Sequence, residues 1–81
     1  MAVKMAILMK IKNGSMKSVI NSLKEIPEVT KILSITGDYD ILLDIEVEKP
    51  EQLQIIYLKK IDHIPGIIEI HSQFVLSEWE K

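Results

Sequence analysis

Apolar and polar residues alternate at the start of the chain. Val3, Met5, Ile7, Met9 and Ile11 fall on one side, and Lys4, Ala6, Leu8, Lys10 and Lys12 on the other. A period of two predicts a strand with one buried face. Asn13-Gly14-Ser15 interrupts it, and Ser15 is placed to cap a helix. Met16, Val19, Ile20 and Leu23 then recur at helical spacing until Pro27. Val29 to Thr36 is rich in strand formers and predicts a second strand. Its facing is ambiguous, because Val29, Leu33 and Ile35 fall on one side and Ile32 on the other.

Thr36-Gly37-Asp38 reads as a turn. A third strand comes next, with Tyr39, Ile41, Leu43, Ile45 and Val47 on one face and Asp40, Leu42, Asp44 and Glu46 on the other. Pro50 suits a first helical turn. Leu53, Ile56, Tyr57, Ile61 and Ile64 form a second helical stripe, which Pro65-Gly66 closes. Ile67 to Leu76 is a fourth strand, and Ser77 to Lys81 is polar apart from Trp79. Tyr57 and Phe74 are expected in the core.

The order is β-α-β-β-α-β. The halves resemble each other at an offset of 38 residues: Ile26-Pro27 matches Ile64-Pro65, Val29 matches Ile67, and Ser34 matches Ser72. Two βαβ units joined by a hairpin predict an α+β, ferredoxin-like fold. Right-handed crossovers place both helices on one face of a four-stranded antiparallel sheet. The TGDYD turn is expected between the two inner strands. The other sheet face stays open and carries Ala6, Leu8, Leu42 and Val75 among Lys4, Lys10, Asp44 and Glu46. That mixture reads as an interface.

Length sharpens this expectation. A chain of 81 residues makes one domain, here taken as residues 1–81, and buries only roughly 60–65% of its unfolded surface. There is no cysteine to staple it, so oligomerisation is the expected supplement. The net charge is −2 and all ten bases are lysine. Without arginine, direct nucleic-acid readout is not expected. The first strand also lacks the aromatics on which such sheets stack bases. Met5 to Met9, the longest apolar run of the N-terminus, is too short for a signal peptide, and nothing approaches a membrane span. A cytoplasmic protein is expected.

Candidate chemistry centres on Asp38 and Asp40. They can be read as solvated turn residues, metal ligands or acceptors for an amine. No nucleophile-base arrangement accompanies them, and hard cations want several converging oxygens, so neither catalysis nor a metal or other cofactor is expected. His63 near a helix end and His71 on the fourth strand read first as structural or surface residues.

The run ITGDYDILLDIEV, succeeded by a helix and by IPGIIEIHSQFVL, resembles the effector-binding (RAM) domain of the Lrp/AsnC family of transcription regulators. The resemblance covers nearly the whole chain. Most such regulators carry an N-terminal helix-turn-helix domain. Here the first strand begins at Val3, so the chain resembles a stand-alone RAM domain. The resemblance implies dimers with sheets packed face to face, assembled into octameric or decameric rings, with a small effector, usually an amino acid, between dimers. It also implies full-length regulators of the family as partners. Gly37, Asp38, Tyr39 and Asp40 match the family's ligand-contacting turn. Ser72 stands where the family commonly has Thr or Ser. Thr36 and His71 are carried over as neighbours, although His71 is not a family signature. Two other classes stay open: a structural subunit with an empty site, and a dimeric α+β-barrel enzyme, which would need polar groups between sheet and helices.

Overall fold

A computed structural model describes residues 2–81. β1 (Val3–Ile11), α1 (Met16–Lys24), β2 (Val29–Ser34), β3 (Ile41–Val47), α2 (Pro50–Ile56) and β4 (Ile67–Phe74) succeed one another in chain order. All strand pairs are antiparallel, in the order β2-β3-β1-β4. The predicted fold class is the observed one. β1 and β3 occupy the centre, so the hairpin joins the edge strand β2 to the inner strand β3, not two inner strands as expected from sequence.

The alternation of β1 and β3 translates directly into burial. Val3, Met5, Ile7 and Met9 meet Val47, Ile45, Leu43 and Ile41 across the ladder, and Val19, Leu23, Leu53, Ile56 and Ile61 of the helical layer are buried with them. β2 ends at Ser34 rather than Thr36, and β3 begins at Ile41 rather than Tyr39. The tip residues bond to neighbours outside the regular ladder. Ser15 stands at the N-terminus of α1 but makes no side-chain cap. Gln52 does the equivalent job for α2, its side-chain oxygen accepting from Glu48 N–H and Lys49 N–H at 3.0 Å each.

α2 runs on into a π-helical turn, Tyr57–Ile61, closed by Asp62 N–H donating to Tyr57 C=O at 2.9 Å. In an unbroken α-helix Lys60, four residues after Ile56, would point at the core. The wider turn swings Lys60 out to Glu28, 3.2 Å away, and brings Ile61 in, 1% exposed. Tyr57 packs against the core as expected. Phe74 does not: it lies on the helix-facing side of the edge strand, opposite Met5, yet is 55% exposed. Among the described residues no element flanks the outer edge of β4 to cover it.

The Tyr57 hydroxyl is buried and has no hydrogen-bond partner among the described residues. Burial pushes its phenol up to about 12. The folded value lies above the unfolded one of about 10, so this group's contribution to stability is complete below about pH 10 and is lost as pH rises through about 12. Tyr57→Phe is expected to hold stability at neutral pH or raise it by up to about 1 kcal/mol. It should also weaken the alkaline loss, read from urea melts across that pH range.

Candidate functional site

The hairpin tip is tied down on one side and free on the other. Ile35 N–H donates to Asp40 C=O, and Asp40 N–H donates to Met9 C=O, both at 2.9 Å. The Asp40 carboxylate then accepts from Ile11 N–H at 2.8 Å. Asp40 therefore completes the β1–β3 ladder where the regular pairing stops, and its half-buried side chain has a structural task. Asp38 is exposed, and its carboxylate has no hydrogen bond among the described residues. Between Thr36 and Asp38, both exposed, Gly37 sits at φ +110 with nothing within 4 Å of where a Cβ would stand. A side chain would be strained there by the backbone alone.

Tyr39 reaches from the tip across β1 to β4. Its ring meets the His71 ring edge-on, centroids 5.2 Å apart at 70°. Its hydroxyl donates to Glu69 Oε2 at 3.4 Å. The same oxygen receives His71 Nε2 at 2.7 Å, where an ionised carboxylate requires the imidazole to be the donor. Partial desolvation, then the charge and hydrogen bond of Glu69, then the charge of Asp38 hold the Tyr39 phenol above its ordinary value. It stays a neutral donor at physiological pH.

The structure thus brings Thr36, Gly37, Asp38, Tyr39, Asp40 and His71 to one end of the open face. Ser72 is not among them. It pairs with Ile7, so it lies on the helix-facing side of β4. Adjacent residues of a strand face opposite ways, which separates Ser72 from His71. Glu69 belongs to the cluster and escaped sequence reasoning, although its spacing of two from His71 already placed both on one face.

Register also orders the rest of the open face. Leu33, Leu42, Leu8 and His71 form one row across β2, β3, β1 and β4. Lys31, Asp44, Ala6 and Gln73 form the next. An aliphatic row thus runs beside rows that carry both signs of charge. Among the described residues no group of three or more His, Asp or Glu side chains is arranged to hold a metal, and no helix is long and apolar enough to cross a membrane.

Asp40→Ala leaves the Ile11 N–H without its acceptor and is expected to cost about 1–2 kcal/mol. Asp38→Ala is expected to fall within about 0.5 kcal/mol. Parallel urea melts of the two variants check the contrast.

The family model for the Lrp/AsnC ligand-binding domain matches residues 4–81. The chain belongs to that family. The HTH-type transcriptional regulator FL11 of Pyrococcus horikoshii is 36% identical over 70 residues, which are 86% of this chain and 46% of the regulator. The chain therefore spans about half the length of the curated relatives it matches. Among solved structures, FFRP-DM1 superposes with a TM-score of 0.86 at 26% identity, covering 91% of this chain and 99% of that one. A Neisseria meningitidis transcriptional regulator solved with L-Met gives 0.88 at 22% identity, covering 98% and 53%. At that identity it attests the fold. The aliphatic interior of this Lrp/AsnC domain has no buried polar or charged residue among those described.

Proposed function

We propose that this Lrp/AsnC domain is a non-enzymatic regulatory module that binds a free amino acid at the Thr36–Asp40 hairpin. The single observation that carries the reading is the division of labour between two carboxylates. Asp40 is occupied by Ile11 N–H, while Asp38 projects free beside Gly37. An amino acid presents an ammonium, which Asp38 accepts, and a carboxylate, which N–H groups around the side-chain-free Gly37 approach. The crystallised L-Met of the Neisseria relative supports this ligand class.

Each hydrogen bond to a charged group nets about 1.5–3 kcal/mol. Two or three sum to about 3–9 kcal/mol before the cost of association, which places binding at the weak end, about −4 kcal/mol or millimolar. Tyr39 and His71 form one wall of the site. Thr36 borders it, and Ser72 lies outside it unless another copy supplies it.

The open face packs on a second copy through the Leu33–Leu42–Leu8 row, and dimers assemble further into rings of eight or ten. A ligand held between dimers stabilises the assembly by mass action. Residues 1–81 then serve as one cytoplasmic domain for binding and assembly, with full-length regulators of the family as partners.

Isothermal titration against the free amino acids tests the site. One or more should give heat with the wild type, and Asp38→Ala should lose about tenfold or more in affinity, equivalent to one charged hydrogen bond. Silence from every amino acid, or full affinity in Asp38→Ala, sinks the assignment.

A further inference from the structure

Of the seven residues after β4, Val75 and Glu78 hold to the sheet. Val75 N–H donates to Lys4 C=O at 3.0 Å and prolongs the β4–β1 pairing. Lys4 Nζ lies 3.4 Å from the Glu78 carboxylate. Glu78 and Glu80 line one side of a groove of about 320 Å3, with Lys4, Lys31 and Glu46 of the sheet on the other. The register puts Lys4, Lys31 and Glu46 on the open face, at the end away from the hairpin. The segment therefore sets Glu78 on Lys4 in a part of the sheet that also carries Lys31, Asp44 and Glu46.

Two of its apolar side chains do the opposite. Leu76 is 94% exposed and Trp79 86%. A tryptophan offers roughly 150–250 Å2 of burial, and here nearly all of it stands in water.

We propose that residues 75–81 form a strap whose polar side is held on its own sheet and whose Leu76 and Trp79 dock on a second copy of this chain. This rests on the reading that a second copy covers the open face. Two features of that face name the occupant. Its rows mix Lys10, Lys31 and Lys4 with Asp44, Glu46 and Glu69, so a two-fold-related copy can set lysines of one sheet against carboxylates of the other. Its aliphatics are sparse, with Ala6, Leu8 and Leu42 already half-buried in the single chain. A rim tryptophan adds the large desolvated anchor that such an interface otherwise lacks.

Trp79 is the only tryptophan, so tryptophan emission, excited selectively over Tyr39 and Tyr57, reports on the strap alone. The full chain is diluted stepwise while its mass is tracked by sedimentation. Emission should be blue-shifted in the assembled form and move to solvent-like wavelengths as the dimer dissociates. Trp79→Ala should weaken the dimer by about tenfold or more with an unchanged circular-dichroism spectrum, and Trp79→Phe should recover most of the loss. Glu78→Lys should also weaken it, and Lys4→Glu in the same chain should restore it. An assembled form with solvent-like emission, or an unchanged dimer constant in Trp79→Ala, overturns the strap while leaving the open-face dimer standing. A shift seen only on adding another protein overturns the second copy as occupant. Absence of assembly at any concentration overturns the open-face reading and the strap with it.

Discussion

Gly66→Ala is expected to lower the melting temperature by roughly 10–30 °C. Gly66 comes after Pro65 at the entry to β4 with φ +98, a conformation that an alanine adopts only under strain. Its surroundings add a second obstacle. A Cβ built there would stand 2.6 Å from the Ser15 Cβ, 2.9 Å from its hydroxyl and 3.2 Å from a Val19 methyl. Ser15 heads α1 and Val19 is fully buried, so neither can yield without moving the helix. Gly66 C=O also accepts from Lys12 N–H at 2.7 Å, which fixes the backbone from the other side. Backbone strain and overpacking together come to about 2–4 kcal/mol, and each kcal/mol shifts a domain of this size by roughly 4–8 °C. Calorimetry of the variant beside the wild type checks it. A drop of only a degree or two would mean that the β4 entry is looser than these contacts imply.

Leu43→Ala is expected to cost about 2–5 kcal/mol, a large share of the roughly 5–15 kcal/mol that holds an ordinary domain together. Leu43 is fully buried at the middle of β3, opposite Ile7 on one side and Ile32 on the other. It belongs to one closely buried cluster with Val19, Leu23, Leu53 and Ile56 of the helices, so little nearby can collapse into the vacancy. The consequence reaches beyond stability. Binding that selects the folded form adds free energy that grows with concentration. The variant should therefore melt at a temperature that rises steeply with its own concentration, and with a bound effector. Melts at several concentrations, with and without the amino acid found by titration, read this directly. A melting point independent of concentration would contradict assembly as a source of stability.

The contrast between elements shows what the linear pattern reveals. β1 and β3 are sandwiched between neighbours, so one face is buried along the whole length and the period of two is clean. β2 is an edge strand with a register shift between Val29 and Lys31. A bulge breaks alternation, which is why Ile32 and Leu33 gave no consistent facing. Phe74 misled for a related reason: it points toward the helical layer, but that layer does not extend over it. The π turn was hidden because Tyr57 and Ile61, four apart, fit an ordinary helix equally well. The hairpin was legible from Gly37 and its flanking carboxylates. Its partner Glu69 was not, since thirty residues separate it from Tyr39 and the contact exists only through the register of β3, β1 and β4.

The anchoring of Asp40 also bears on the thermodynamics of recognition. Fixing one residue's backbone costs about 1–2 kcal/mol of conformational entropy, and a mobile loop would charge that cost to every ligand it closed upon. Here the folding of the sheet has already ordered Asp40 and Ile35, leaving Asp38 as the main group still to be immobilised. In the proposed reading, little change in backbone order on binding, with no ordering cost subtracted from the affinity, is the signature of such a preorganised tip. On the proposed function, such a tip would follow an effector's rise and fall without refolding at each encounter.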